Sequence, residues 1–329
     1  AAAGRVEADE IINTFLGNAP EKRPDVWFTY HLYYKAPDYI GPLVSEALRI
    51  PYVVAEPSHA PKRANGPWKS SHAEVESSLK KTDCAFCLTR HDMACVEPAL
   101  TSPERLFYLP PFLDPTPFQN ERSAFSGNRA WLARTLGLTA DVVLVAVGMM
   151  RPGDKFESYR QLAEALTKVK TDVSWQLVIV GDGEAAGETK NLFRQQDELS
   201  DRTVFAGELD AHEVARTLGG TDICVWPAAG EAYGMALLEA QAAGLPVIAG
   251  NLRGVPDVVQ DGQTAFLTPP GDTAAFADKT RELLENKTLR QQAGQAASRF
   301  VAGQRSLRQA ADILDSGLAA ALRIHGAKT

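Results

Sequence analysis

Residues 231–240 read EAYGMALLEA, with a glutamate at the first and ninth positions and a glycine between them. Upstream, the apolar run ICVW at 223–226 is typical of a buried strand, and the proline that follows ends it. Downstream, residues 235–243 are rich in Ala and Leu and are followed by a glycine, as helix C-termini often are. A second apolar run, LPVIA at 245–249, comes next. This order of strand, loop, helix and strand predicts a parallel pair joined by a right-handed crossover.

The start of this helix is a candidate anion site. The helix itself leaves four backbone amides unpaired, those of Tyr233, Gly234, Met235 and Ala236. At the carboxyl edge of a sheet these donors suit a phosphate. Glu231 precedes the turn and can face the same pocket. Glu239 lies about one turn into the helix, where it can accept hydrogen bonds from a polyol such as ribose. The plainer interpretation makes Glu231 a charge that complements the helix dipole and Glu239 a solvated residue.

The segment resembles the E-x7-E motif of retaining glycosyltransferases with the two-Rossmann (GT-B) architecture, a group similar to glycosyltransferase family 4. Further segments resemble the same family in unbroken order over about residues 142–285. They are VAVG at 145–148 followed by a loop with Asp154 and Lys155, LVIVGDG at 177–183, VFAGEL at 204–209 and DGQTAFLTPPGD at 261–272. An amphipathic helix is predicted after the first of these loops, from Tyr159 to Val169. An ordered series of this kind is far more specific than a single glycine-rich turn.

The resemblance implies an α/β fold with two Rossmann-like domains facing across a cleft. We expect an N-terminal, acceptor-side domain at residues 1–117 and a nucleotide-sugar-binding domain at 118–300. Residues 301–329 would form a C-terminal helix that crosses back to the first domain. The proline-rich segment 103–117 is the candidate linker.

The resemblance also implies where a nucleotide-sugar donor binds. Its diphosphate would lie on the Tyr233–Ala236 amides and near Lys155, with Gly148 and Gly181 lining the pocket. The family usually has an arginine after the glycine at 148, but this chain has Met149, so Arg151 is the candidate for the second cation. Glu231 would contact the transferred sugar, Glu239 the ribose, and the backbone of Leu209 the base.

The implied reaction is transfer of a sugar, most simply a hexose, to a glycan, lipid or small-molecule acceptor with retention of anomeric configuration. A lysine and a helix N-terminus can stabilise the leaving diphosphate, so we expect no metal and no cofactor besides the donor substrate. Two alternatives stay open. One is a non-hydrolysing sugar-nucleotide epimerase of the same fold, and the other is a non-catalytic nucleotide-sugar-binding subunit.

Two histidines compete for the family's active-site histidine at the end of a first-domain strand. His59 follows the strand-like YVVAEPS at 52–58, and His31 follows DVWFTY at 25–30. We favour His59, because Glu56 beside it could orient the ring.

The first domain departs from the family pattern, because only four strand-like segments are visible where six or seven are usual. They lie at about 25–31, 51–56, 84–88 and 106–109. The family's opening strand and glycine-rich loop have no counterpart. We therefore expect this domain to be incomplete and the native chain to have further residues before or among its first twenty-five. Without the opening strand, the strand at 25–31 would have an open neighbour position.

Composition limits the function classes. The net charge is −7 and neither half of the chain is basic, which argues against nucleic acid as a partner. No apolar run approaches the roughly 18 residues of a membrane-spanning helix. We expect a cytoplasmic protein with at most peripheral membrane contact, and an oligomeric state that the sequence leaves open.

The spacing of Cys84, Cys87, His91 and Cys95 suggests a zinc site at first sight. However, residues 84–88 form a strand-like segment, and residues three apart in a strand point to opposite faces. We therefore predict buried free thiols.

Overall fold

The computed structural model describes residues 2–327, which form two compact units. The first unit contains the described chain up to Pro110 and from Arg308 onward, and the second is Pro111–Leu307. The sequence analysis placed these two boundaries after residues 117 and 300. Ala1 and residues 328–329, the outer ends of the predicted first and last segments, lie outside the described residues.

The first unit is a four-stranded parallel sheet with helices. Strands and helices are numbered in chain order through the whole molecule. The strands are β1 (Trp27–Tyr30), β2 (Tyr52–Ala55), β3 (Cys84–Cys87) and β4 (Leu106–Tyr108), in the order β1-β2-β3-β4. The helices are α1 (Ala2–Leu16), α2 (Gly41–Leu48), α3 (Lys69–Lys81), α4 (Arg90–Val96) and, from the C-terminal end of the chain, α15 (Leu307–Gly326).

Strands β2 and β3 form the centre of this sheet because their residues are apolar on both faces and entirely buried. By contrast, β1 alternates, with Phe28 and Tyr30 exposed, and pairs only with β2 among the described strands. Helix α15 packs close to β3, since a Cβ on Gly317 would come within 2.4 Å of the Phe86 ring. The small residue therefore permits the approach. The four predicted strands and the edge position of the first are confirmed.

The second unit is a six-stranded parallel sheet. Its strands are β5 (Val142–Val147), β6 (Trp175–Val180), β7 (Thr203–Gly207), β8 (Ile223–Trp226), β9 (Val247–Gly250) and β10 (Ala265–Thr268). Its helices are α5 (Thr116–Ser123), α6 (Phe125–Leu136), α7 (Asp154–Thr167), α8 (Ala186–Arg194), α9 (Asp197–Ser200), α10 (Ala211–Gly219), α11 (Met235–Ala242), α12 (Val255–Val258), α13 (Thr273–Glu285) and α14 (Lys287–Gln304).

The order of this sheet is β10-β9-β8-β5-β6-β7, all parallel. The chain builds outward from β5 on one side and then from β8 on the other, so the topological switch point lies between these two strands. This is the doubly wound Rossmann arrangement, in which ligands bind beyond the carboxyl ends of the strands at the switch point. The predicted α/β fold with two Rossmann-like units is confirmed.

No helix in the described part of the chain combines the length and the apolar character that crossing a membrane requires.

Candidate functional site

The loop between β8 and α11 brings the deciding sequence to the carboxyl edge of the second sheet. Gly234 is the N-cap of α11, with φ 81°, and has no side chain that could cap the helix. Within the described chain, the amides of Gly234, Met235 and Ala236 have no hydrogen-bond partner. A helix N-terminus with three unpaired donors at a sheet edge is suited to an anion.

An ion pair connects the two strands of the switch point. Nζ of Lys155, which follows β5, lies 2.5 Å from Oε2 of Glu231, which follows β8. The indole nitrogen of Trp226 donates to the same oxygen at 3.2 Å, and the lysine lies 5.4 Å from the Trp226 ring centroid. The lysine and glutamate side chains are 19% and 15% exposed, so the pair is largely withdrawn from water. Oε1 of Glu231 has no hydrogen-bond partner among the described residues, so it remains available to a ligand.

The sequence analysis placed Lys155 in a loop, and this was wrong. Helix α7 begins at Asp154, five residues earlier than the predicted start at Tyr159, so Lys155 belongs to its first turn. The N-cap is Gly153 with φ 86°. The early start places the lysine beside the N-terminus of a second helix, where it adds its own charge to the positive end of the helix dipole.

Glu239 lies in α11 with its carboxylate partly buried, and burial raises its pKa. No described residue donates a hydrogen bond to the Glu239 carboxylate or forms an ion pair with it. The pKa of the Cys224 thiol in β8 is raised to about 12, mainly by burial and also by the negative charge of Glu239. A partly buried carboxylate without a partner is unusual in a folded protein and is one expected to receive donors from a ligand.

The predicted glycines lie where neighbouring strands end. Gly148 follows β5, and a Cβ there would come within 3.1 Å of the Trp226 ring. Gly181 follows β6 with φ 134°, and a Cβ there would lie 2.0 Å from the carbonyl oxygen of Gly148. A side chain at 181 is therefore excluded by both conformation and space. Leu209 follows β7 at the same sheet edge, with its half-buried side chain packed against the core.

The structure brings a second cation to this edge that the sequence analysis did not name. Arg253, in the loop after β9, donates from Nη1 to the carbonyl of Gly230 at 2.9 Å, next to Glu231, and lies 3.8 Å from Oδ2 of Asp154. Arg151, the predicted cation, is exposed, and its guanidinium has no partner among the described residues. A spacing argument could not have found Arg253, because the contact depends on the fold of a loop 22 residues after Glu231.

The two candidate histidines have different surroundings in the first unit. His59 is nearly buried, with Nδ1 2.9 Å from the Cys95 carbonyl and Nε2 3.1 Å from Oε1 of Glu76. His31 ends β1, is 44% exposed, and has Nδ1 3.2 Å from Oε1 of Glu56. The expectation that Glu56 orients His59 was therefore wrong, because Glu56 contacts His31. Both ring nitrogens of His59 have a polar neighbour, and His31 is the more exposed of the two histidines.

The cysteines form no disulfide, and Cys84, Cys87 and Cys224 are buried. Burial raises the pKa of Cys84 to about 12, with the Asp83 charge adding to the effect. In the described chain no metal-ligand cluster contains a cysteine. The predicted buried thiols are confirmed, except that Cys95 is only partly buried.

Comparison with known proteins relates the second unit to glycosyl transferases. Residues 141–286 match the family model for glycosyl transferases group 1. The N-acetyl-alpha-D-glucosaminyl L-malate synthase of Bacillus anthracis is 30% identical over 185 residues, which cover 56% of this chain and 47% of that protein. The phosphatidyl-myo-inositol mannosyltransferase of Mycobacterium leprae is 38% identical over 117 residues, covering 35% and 30%. The chain thus spans about half the length, or less, of these curated relatives.

Solved structures share the fold at low sequence identity. The crystal structure of the Anabaena protein Alr3699/HepE in complex with UDP has a TM-score of 0.77 at 16% identity, covering 95% of this chain and 81% of that one. A glycosyltransferase from Rickettsia africae has a TM-score of 0.75 at 19% identity, covering 98% and 80%. The chain shares the fold of these solved structures, and its residues 141–286 match the group 1 glycosyl transferases.

Proposed function

We propose that this chain transfers a sugar from a nucleotide-diphosphate sugar to an acceptor, with retention of anomeric configuration and without a metal. The observation that carries the proposal is the Lys155–Glu231 ion pair across the switch point, directly beside the unpaired amides that open α11. The positive groups suit a diphosphate, and the carboxylate suits a sugar hydroxyl. The match of residues 141–286 to the group 1 glycosyl transferases supports this chemistry.

The chemical step places negative charge on the leaving diphosphate as the anomeric carbon–oxygen bond breaks. The ammonium of Lys155 and the N-terminal amides of α11 stabilise that charge, because they are fixed before the reaction in a site largely withdrawn from water. Arg253 provides a second cation from the β9 loop. These groups take the part that a divalent cation would otherwise take, so the transfer needs no metal.

The two glutamates divide the rest of the donor between them. Glu231 is held through Oε2 by Lys155 and Trp226 and accepts from a hydroxyl of the transferred sugar through Oε1. Glu239 accepts from the ribose hydroxyls, which replace the missing partners of its carboxylate. In the first unit, His59 and His31, the latter 3.2 Å from Glu56, stay the two candidates for the active-site histidine. The acceptor is a glycan, a lipid or a small molecule.

Donor choice is tested first with uridine nucleotides, because crystal structures of the Anabaena protein contain UDP and UDP-glucose. The assay measures release of nucleoside diphosphate from UDP-glucose, UDP-N-acetylglucosamine and GDP-mannose, with and without a pooled set of sugar, inositol and lipid acceptors. We expect release to depend on an acceptor, and the glycoside formed to keep the anomeric configuration of the donor by proton NMR. An altered sugar in the nucleotide pool without any acceptor would identify an epimerase instead. Tight nucleotide binding with no turnover across the set would identify a binding subunit.

A further inference from the structure

The first unit contains a cluster of metal-ligating side chains that lies outside the candidate donor site. His72 and Glu76 are four residues apart on α3, so they share one face of the helix. His59 lies in the segment that follows β2. One ligand atom from each of the three residues lies within 4.8 Å of the other two.

His59 is oriented in the way that metal-binding histidines are. Its Nδ1 lies 2.9 Å from the backbone carbonyl of Cys95, and since a carbonyl only accepts, the ring proton is on Nδ1. In a neutral ring, the lone pair of Nε2 then faces Oε1 of Glu76 at 3.1 Å. Two acceptors at this distance repel each other unless a cation lies between them. Metal-binding histidines commonly donate the N–H of their other ring nitrogen to a backbone carbonyl.

His72 completes the set from the buried side. Its side chain is 3% exposed, and its Nε2 is buried without a hydrogen-bond partner among the described residues. Its Nδ1 lies 3.9 Å from Oε2 of Glu76, beyond hydrogen-bond distance, and its ring centroid is 5.1 Å from that of His59. Nδ1 is the nitrogen nearer to Glu76 and is therefore the candidate ligand, and a metal there would give this buried ring a polar partner.

We propose that His59, His72 and Glu76 bind a zinc ion. Two imidazoles and a carboxylate are a known zinc ligand set, and at zinc–ligand distances of about 2.0–2.2 Å neighbouring ligands of a tetrahedral site are ~3.4 Å apart. The 3.1 Å between His59 and Glu76 already has about this size, and Nδ1 of His72, 3.9 Å from Glu76, needs to approach by about half an ångström. Glu76 is 41% exposed, so the cluster can be reached from solvent on that side. The ion joins α3 to the segment after β2 and, through the Cys95 carbonyl, to the end of α4. The zinc proposal does not rest on the proposed transferase activity.

Calorimetric titration of zinc chloride into tag-free, EDTA-stripped protein tests the proposal, with cobalt(II) as a spectroscopic probe. We expect one zinc per chain and the visible d–d bands of tetrahedral cobalt. Glu76→Gln keeps the shape of a partly exposed side chain and should weaken zinc binding at least about tenfold and remove the cobalt bands. His72→Gln should do the same.

The matched control is His212→Gln, which changes another histidine beside a glutamate, 3.4 Å from Glu121, in the second unit. It should bind zinc as the wild type does. Circular dichroism shows whether each variant is folded. If His72→Gln is unfolded, zinc binding by Glu76→Gln decides the test. Absence of zinc binding by the wild type, or equal binding by Glu76→Gln and the wild type, would overturn the proposal.

Discussion

Glu239 carries a carboxylate that burial disfavours and that no described residue compensates. Because its pKa is raised in the folded protein, the folded state loses stability as pH rises from the ordinary glutamate pKa through the raised one. Glu239→Gln removes that loss, so it should raise the unfolding midpoint at about pH 8 and raise it less at about pH 5. The same variant should weaken nucleoside diphosphate binding by about 1–3 kcal/mol, since an amide is a poorer acceptor for the ribose hydroxyls.

Thermal unfolding at the two pH values and calorimetry with UDP measure both effects of Glu239→Gln. A gain in stability without a loss of affinity would mean that Glu239 does not contact the nucleotide. A midpoint that falls at high pH would mean that the carboxylate has a partner.

The second cation of the donor site is a choice between two arginines. Arg253 contacts the Gly230 carbonyl beside Glu231, whereas Arg151 has no partner in the described chain. Arg253→Ala should therefore lower the transfer rate by about 10-fold to 100-fold, since a lost electrostatic donor to the leaving diphosphate has an effect of up to about that size. Arg151→Ala should change it by less than about threefold. The reverse ranking in steady-state kinetics would return the role to Arg151.

At the residue scale, the sequence predicted the positions that a motif defines and missed those that the fold defines. Glu231, Glu239 and Gly234 follow from one decapeptide, whose local order of strand, turn and helix fixes where they lie. The indole of Trp226 as a holder of Glu231 could not be predicted, because the contact depends on the path of the loop after the strand. The pairing of Glu56 with His31 was missed for a related reason. It joins the ends of two adjacent strands, and only their register brings the residues together.

At the element scale, helix α11 has at each end a glycine with a left-handed backbone conformation. Only the glycine at its N-terminus lies at the candidate donor site. Gly234 has φ 81° at the N-cap and Gly244 has φ 70° just past the C-terminus. An alanine in the left-handed region costs about 1–2 kcal/mol, so Gly234→Ala and Gly244→Ala should destabilise the protein by similar amounts in chemical denaturation.

Only Gly234→Ala should also weaken UDP binding, by about tenfold or more, because its Cβ would lie 3.1 Å from Leu237 and displace the amides that hold the diphosphate. Gly244→Ala is the matched control, since its Cβ would meet nothing closer than 3.6 Å. Equal affinity in the two variants would show that the start of α11 is not the phosphate site.

Sequence pattern predicted these elements well where apolar runs are long and less well at helix starts. All six strands of the second sheet contain uninterrupted apolar runs, which buried parallel strands require. The start of α7 was misplaced because its first turn, DKFES, is polar and its apolar period begins only at Tyr159. Helix α5 was missed because two prolines near its start suggested a linker, although proline is well tolerated in the first turn of a helix.

At the scale of the whole molecule, the two proposed sites lie in different units and should respond differently to a chelator. EDTA should leave UDP affinity unchanged, because lysine, arginine and helix amides replace a metal at the diphosphate. EDTA should lower the unfolding midpoint of zinc-loaded protein, since a ligand at 100 times its dissociation constant contributes about 2.7 kcal/mol. Glu76→Gln should abolish the second effect only. Loss of UDP binding in EDTA, restored by magnesium or manganese, would contradict the metal-free mechanism.

The most direct measurement is calorimetric titration of UDP and GDP into the wild type, Lys155→Ala and Lys170→Ala. Lys155 pairs with Glu231 at the switch point, while Lys170 is a solvated lysine, 72% exposed, that serves as the matched control. We predict that one of the two nucleotides binds the wild type and Lys170→Ala equally, and that Lys155→Ala weakens it by about 2–4 kcal/mol, the scale of a lost electrostatic donor. Binding of neither nucleotide, or equal binding by all three proteins, would contradict a donor site at the Lys155–Glu231 pair.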